Sequence, residues 1–332
     1  MKILVTGGAG YIGSTTCFAL ADAGYTPIIL DSLVIGRREF TKNFAFYEGD
    51  IANEILLAKI LKEHPEIKHC IHFAARISVP ESVSEPYLYY TENVAKSVML
   101  FNNLRHLGVD KIIFSSSASL YDSTNQIEVD EQSAIKPTSP YSRTKHAMEM
   151  VLEDFANADY FRAVALRYFN PIGADIHMRS GPFLFISTAL LNKLLNVAQG
   201  IDSTFFLTGT DWQTRDGTGI RDYIHVWDLA QAHVQAVKLF DSIFADSKYQ
   251  IINLGTGLGT TVKEFVSAFT EVLGKEIPIE YTSPRPGDIA GVYANCQKAA
   301  QILDWKTKLD IKHAIADTLN WANNNRKKIL GF

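Results

Sequence analysis

Cysteine is scarce in this chain. The three thiols, Cys17, Cys70 and Cys296, lie far apart and form no C-x-x-C pair, which argues against a disulfide framework or a zinc site and fits a reducing compartment. Long apolar runs are missing as well. The first one stops at Val5, too short for a secretory leader, and the patch from Phe183 to Leu191 falls short of the ~20 residues that cross a bilayer. There is no basic excess either: 32 Lys and Arg against 36 Asp and Glu give a net charge of −4, which speaks against a general affinity for DNA or RNA. Internal repeats, low-complexity tracts and charge blocks are absent. These absences predict a cytoplasmic globular protein with no membrane or nucleic-acid partner, and 332 residues suffice for one large domain or two medium ones. An anionic small ligand stays open, since a few placed arginines and helix N-termini are enough to meet it.

What is present has a regular rhythm. A short apolar run, Lys2–Thr6, leads into Gly7-Gly8-Ala9-Gly10-Tyr11-Ile12-Gly13, an amphipathic segment follows to Ala23, and a second run, Thr26–Leu30, ends at Asp31. Strand, glycine turn, helix, strand and acid in that order is the dinucleotide-binding βαβ pattern. Gly7, Gly10 and Gly13 allow a tight turn, close approach of backbone to a pyrophosphate and close helix packing. Asp31 at the strand tip can hold both ribose hydroxyls and would repel a 2′-phosphate, which favours NAD over NADP. The alternation continues through strands at Phe44–Tyr47, Lys68–Phe73, Lys111–Phe114 and Ala163–Leu166, with helices near Asn53–Glu63 and Ser84–Leu107. Asp50 and Ile51 could bracket an adenine, and Ala74 and Ala75 leave room for a cofactor against the backbone. The fold class expected is α/β, a doubly wound parallel sheet of Rossmann type, with ligands at the strand C-terminal ends.

After Asn170-Pro171 the loops lengthen and the segments shorten. Helices are expected near Phe183–Ala198, Trp227–Leu239, Gln297–Leu303 and Ile311–Asn323, strands at Thr204–Leu207 and Gln250–Leu254, and a capping box at Thr261 and Glu264. The chain is therefore divided into a cofactor-binding part, 1–170 plus a returning segment near 222–254, and a smaller C-terminal substrate part, 171–332. His72 and His225 have no metal-ligand spacing and read as structural, so no metal is expected; the four tryptophans read as packing residues.

One stretch carries chemistry. Ser139-Pro140 is a helix start, with serine as cap and proline at the first position. Tyr141 and Lys145, four apart, then leave the same face of that helix. A phenol with an ordinary pKa of about 10 is a poor base at neutral pH, and a nearby ammonium favours the phenolate. Taken alone the pair is weak evidence, since two ordinary surface residues at this spacing are far commoner.

With the glycine turn, Ser115-Ser116-Ser117 and the Tyr–Lys pair in hand, the chain resembles the extended short-chain dehydrogenase/reductases, and within them the UDP-glucose (UDP-galactose) 4-epimerases. The resemblance spans essentially the whole length. It rests also on His72-Phe73-Ala74-Ala75, Leu166-Arg167-Tyr168-Phe169-Asn170-Pro171, the block from Asp216 to Val226, Asn253 to Gly257, and Arg285 to Asp288. The resemblance implies an NAD-dependent isomerase acting on a UDP-sugar, with Tyr141 as base, Lys145 holding the nicotinamide ribose and lowering the phenol pKa, and Ser117 hydrogen-bonding the sugar oxygen. It implies an NAD site of Gly7, Gly10, Tyr11, Ile12, Gly13, Asp31, Asp50, Ile51, Phe73, Ala74, Ala75, Asn93, Ser115, Tyr141, Lys145 and Phe169. Ser117, Tyr141, Asn170, Phe206, Arg221, Arg285, Asp288 and Val292 would hold the substrate. A homodimer through the apolar stripes of Tyr87–Leu107 and Met148–Phe155 is implied too.

Departures from the family pattern refine this. Ala118 and Ser119 stand where the related dehydratases carry an Asp-Glu pair, so elimination of water is disfavoured and hydride removal and return remain. Ile77 replaces a common lysine, Phe183-Leu184 a common Asn-Leu, and Asp122 a glycine. Val292 replaces a bulkier gatekeeper beside the sugar, which leaves room for a 2-acetamido group. Two other readings stand beside this one: an epimerase acting on a uronic acid or a pentose, and a catalytically silent NAD-binding regulator.

Overall fold

The computed structural model describes residues 1–122, 127–183, 190–244, 247–283 and 290–331. Seven strands form one parallel sheet: β1 (Lys2–Thr6), β2 (Thr26–Asp31), β3 (Ala45–Glu48), β4 (His69–His72), β5 (Lys111–Ser117), β6 (Arg162–Tyr168) and β7 (Tyr249–Leu254). Their spatial order is β7-β6-β5-β4-β1-β2-β3. The order reverses between β1 and β4, and such a reversal opens a crevice at the strand C-termini. Gly7 lies just past the end of β1, and Phe73 to Ala75 just past β4.

The strands are buried on both sides, and the period of two assigns residues to each face. Ile3, Val5, Ile29, Ile113, Val164 and Ile252 pack on one side with helices α1 (Tyr11–Asp22) and Val226–Lys238. Leu4, Ile28, Cys70, Ile112, Phe114 and Ala165 pack on the other, against Glu54–Glu63, Lys96–His106 and Pro140–Asn157. Strand β7 at the sheet edge comes from beyond residue 222, and Ala299, Leu303 and Trp305 join the first of these clusters. A separate apolar cluster, containing Leu194, Phe205, Leu207, Phe265, Phe269 and Ile315, serves the C-terminal part.

Several elements differ from expectation. The segment expected as one helix from Ser84 to Leu107 is broken into Pro86–Tyr89, a π-helical turn Tyr90–Ala95 and Lys96–His106. Pro86 accounts for the break before it, because the residue ahead of a proline avoids the helical region, and Glu85 sits at φ −124°, ψ 57°. The three serines expected after β5 belong to it. The helix expected from Phe183 begins, within the described residues, at Leu190, and the last long helix ends at Asn320 and passes into a π turn, Trp321–Asn325. Several short strands went unread, among them the parallel pair Asn170–Ile172 and Tyr223–His225.

Among the histidines buried in this framework are His69, His72 and His233. His72 lies between Thr6 Oγ1 (2.6 Å) and Ser97 Oγ (2.9 Å), while His233 packs on Phe73. Burial holds their pKa values down at about 4, about 3 and about 4, against 6.5 for a free imidazole. An unfolded chain takes up these protons near 6.5 and the folded chain does not, so folding is stabilised fully above that pH and less so as the pH falls towards 4. Each buried imidazole costs up to about 1.4 kcal/mol per pH unit in that window. Urea denaturation should show stability falling steeply between about pH 6.5 and about pH 4; a flat profile there contradicts the buried neutral assignment.

Candidate functional site

The crevice at the sheet reversal holds a cavity of about 320 Å³ lined by the glycine turn, the tips of β2 and β4, and the Tyr141 helix. Gly7 takes φ +73°, and a Cβ there would lie 2.5 Å from the Ala74 backbone nitrogen. A Cβ on Gly13 would lie 2.2 Å from the Gly7 carbonyl oxygen. Both glycines are therefore demanded by contact between backbones. Helix α1 starts at Gly10 without a side-chain cap, so its first N–H groups and dipole face the cavity, where they favour an anion such as a pyrophosphate.

Asp31 closes the far side of that turn. Its carboxylate accepts from Ala9 N at 3.0 Å and from Leu33 N at 2.8 Å. Burial raises its pKa and these two N–H bonds oppose the rise. Further out, Asp50 accepts from Ala52 N and from Lys96 Nζ at 2.6 Å, and Lys96 also reaches Glu92 at 2.6 Å. The sequence reading missed Lys96, Glu92, Arg76 and Tyr168, all of which line the cavity. For Glu92 and Lys96 the signal is the π-helical turn, which carries the first and leads into the second, and no spacing rule announces such a turn.

The opposite wall carries the reactive groups. Ser139 and Ser142 form a reciprocal capping box that fixes the start of the Pro140–Asn157 helix. Lys145, buried, donates from Nζ to the Ser115 carbonyl at 2.7 Å and lies 5.0 Å from the Phe114 ring centroid. Burial pushes its pKa down to about 7, and the Glu149 carboxylate pushes it back up. Burial raises the Tyr141 phenol, and a hydrogen bond with Ser117 draws it down. Against the expectation that Lys145 sets the phenol low, burial is the larger influence on it, and one of the three Lys145 N–H donors goes to the Ser115 carbonyl. Ser117 Oγ lies 2.9 Å from Ser119 Oγ and accepts from Ser119 N at 3.1 Å, while Ser115 Oγ bonds the Tyr168 hydroxyl.

Of the residues expected at the cofactor, Gly7, Gly10, Tyr11, Ile12, Gly13, Asp31, Asp50, Ile51, Phe73, Ala74, Ala75, Ser115, Tyr141, Lys145 and Phe169 all line this one cavity. Asn93 does not. Its amide is spent behind the wall, accepting from Arg76 N (2.7 Å) and donating to Arg76 O (3.0 Å) and Thr144 Oγ1 (3.2 Å). Among the expected substrate residues that are described, Ser117 and Tyr141 line the cavity, and Asn170, Phe206, Arg221 and Val292 do not. Asn170 Nδ2 donates to Asp222 O at 3.2 Å, and Arg221 Nη1 donates to the carbonyls of Ile220 (2.7 Å) and Ala290 (2.9 Å). Val292 packs with Tyr121 and Phe169, and Phe206 is exposed on its strand. Arg285 and Asp288 lie outside the described residues. Asp222 was passed over within its motif. It is buried and accepts from Thr256, Gly257 and Ala294, tying the segment after Arg221 to the loop beyond β7.

The family of NAD dependent epimerase/dehydratase proteins matches residues 3–255, which take in all seven strands of the sheet. The chain belongs to that family. It is 41% identical to the UDP-glucose 4-epimerase of Bacillus subtilis (strain 168) over 336 residues, 98% of each chain. Among solved structures it is similar to the UDP-glucose 4-epimerase of Stenotrophomonas maltophila with bound NAD and formylated UDP-arabinopyranose (TM-score 0.93, 35% identity, 99% of each chain covered). It is also similar to that of Bifidobacterium longum in complex with NAD+ and UDP (TM-score 0.88, 35% identity, 98% of this chain and 99% of that one). The cradle fits the cofactor that names this epimerase/dehydratase family: two glycines that admit no side chain, an open helix N-terminus and a fixed acid. A Gly13→Ala chain should lose NAD affinity by at least about tenfold, since a methyl group 2.2 Å from a backbone oxygen must displace the turn. Titration calorimetry with NAD reads this, and wild-type affinity in the variant contradicts the assigned cradle.

Proposed function

We propose that this chain catalyses the reversible 4-epimerisation of a UDP-hexose, UDP-galactose and UDP-glucose with their N-acetyl forms, while holding NAD tightly. The observation that carries this reading is the meeting of Ser117, Tyr141 and Lys145 on one wall of the cavity whose other wall is the glycine turn and Asp31. NAD, when bound, supplies the acceptor and later the donor of the C4 hydride. The chain's own residues do the rest. Tyr141 Oη takes the proton of the sugar 4-hydroxyl and later returns it to the same oxygen once the sugar has turned its other face to the cofactor, Ser117 Oγ hydrogen-bonds that oxygen, and Lys145, held on the Ser115 carbonyl, meets the cofactor ribose. Asp31 holds the other ribose, and the α1 N-terminus faces the pyrophosphate.

Residues 171–332 are read as the part that holds UDP, with Asn170, Phe206, Arg221, Arg285 and Asp288 as its contacts and Val292 beside the sugar; residues 1–170 with the return near 222–254 hold NAD. In support, the Arg221 guanidinium donates to the carbonyl of Ala290, at the start of the 290–294 segment that carries Val292, and to that of its neighbour Ile220. Two copies are proposed to pair through the helices near the cavity mouth, where Val83, Tyr87, Tyr90, Met99 and Met150 are exposed apolar residues. No helix among the described residues is long and apolar enough to cross a membrane, and the three thiols are free, which supports a cytoplasmic setting.

A panel of UDP-sugars, hexose, N-acetylhexose, uronic acid and pentose, sorts the substrate. Replacing Tyr141 by Phe should lower kcat by about 10²–10⁴ with bound NAD content unchanged. Unaltered turnover of UDP-galactose would relocate the base or leave the protein a non-enzymatic NAD binder.

A further inference from the structure

Behind the reactive wall lies a buried polar cluster that the proposed reaction does not use. Tyr141, Lys145 and Glu149 stand at i, i+4 and i+8 on one helix face. Glu149 is 3% exposed and Arg167, on β6, is 1% exposed. Arg167 grips the carboxylate with two bonds, Nε to Oε1 at 2.9 Å and Nη2 to Oε2 at 2.6 Å. Ser116 Oγ adds a third at 2.5 Å. Arg167 Nη1 continues to the Tyr121 hydroxyl (3.1 Å), which donates to Asn253 Oδ1 on β7 (2.6 Å). Register explains the convergence: Ser116 lies opposite Arg167, and Arg167 opposite Asn253, so all three leave the same face of the sheet.

Such a pair is expensive as a stability device. Two charges lose their water here, and apolar residues of the same volume would often fold as well or better. What a charged pair can do that an apolar one cannot is present a fixed charge to a neighbour. The neighbour is Lys145, one turn along the helix, whose own ammonium is held by the carbonyl of Ser115, next to Ser116.

We propose that Glu149 is a positioning residue for the Tyr141–Lys145 pair, its carboxylate clamped by Arg167 and Ser116 so that Lys145 keeps both its charge and its place against the serine strand. The proposal rests on the reading of Tyr141 as base and Lys145 as its partner. Of the ion pair, Glu149 is the member whose charge acts on Lys145, and it acts against desolvation. Among the described residues, His72 from β4 also feels Lys145 and is kept neutral by burial and by Lys145 itself, and the hydroxyls of Tyr141 and Tyr168, which line the same cavity, are raised by burial. Neither hydroxyl nor neutral imidazole supplies the negative charge that Glu149 does.

The test is Glu149→Gln, which keeps shape and loses charge. An NMR titration of Lys145 Nζ in the cofactor-free protein should show its protonation constant lowered by about tenfold, and the alkaline limb of kcat should move to lower pH by the same factor, with KM for the UDP-sugar little changed. Glu149→Asp, which retains the charge, should restore both. Should Glu149→Gln fail to fold because Arg167 is left unpaired, Glu149→Gln combined with Arg167→Met removes both charges and answers the same question. A Lys145 titration unchanged in the folded variant overturns the proposal, even if activity falls through a general loosening. Failure of the underlying reading is seen separately, in a Tyr141→Phe protein that still turns over while the Lys145 titration shifts as stated.

Discussion

Lys145 Nζ reaches the Ser115 carbonyl across 2.7 Å, and that bond ties the helix of the base to the strand of the serines. Everything at the reactive wall is referred to it. Tyr141 starts the same helix and Ser117 ends the same strand. One hydrogen bond therefore sets the separation of phenol, hydroxyl and ammonium, and it does so in a dry setting where it is strong and where its loss would strand an ammonium. Around it the structure repeats the same device. The capping box of Ser139 and Ser142 fixes the helix at its mouth, and the Glu149–Arg167 grip fixes it two turns further in.

The parallel sheet makes this economical. All seven strands point their C-termini at one edge, so the glycine turn, Asp31, the Ala74 strand end and the serines meet without any long-range search by the chain. The cofactor wall is made of backbone and small residues, which gives close approach. The reactive wall is made of side chains buried at a cost. Desolvation acts on both partners there, raising the phenol and lowering the ammonium. Ser117 and Glu149 are the two groups that offset it, one for each partner.

The cofactor wall was readable from residue types because its requirements are local. Gly7, Gly13 and Ala74 exclude side chains within a few residues of one another in space, and Asp31 follows its strand directly. The reactive trio was legible through spacing and through the resemblance it completes. What stayed hidden depends on geometry that spacing does not encode. The π-helical turn at Tyr90–Ala95 carries Glu92 and leads into Lys96, both of which line the cavity, while Asn93 within it does not, against expectation. Pro86 announced the break in the long helix and was read through, because the apolar period continued across it. The direction of the phenol shift was misjudged because four-residue spacing reports proximity along a helix and says nothing of burial. Asn170 and Arg221 donate to carbonyls, Val292 packs and Phe206 is exposed, contacts that depend on the tertiary fold and that no spacing reports.

The central claim is that the proton of a sugar 4-hydroxyl and the hydride of its C4 leave and return within one pocket, arranged by the Lys145–Ser115 bond. The most direct measurement uses UDP-galactose carrying deuterium at C4, incubated with the enzyme and a large excess of unlabelled free NADH. The account predicts UDP-glucose that retains the deuterium at C4, since the hydride never reaches solution. Product in which the label has been replaced by hydrogen from the free pool would contradict it.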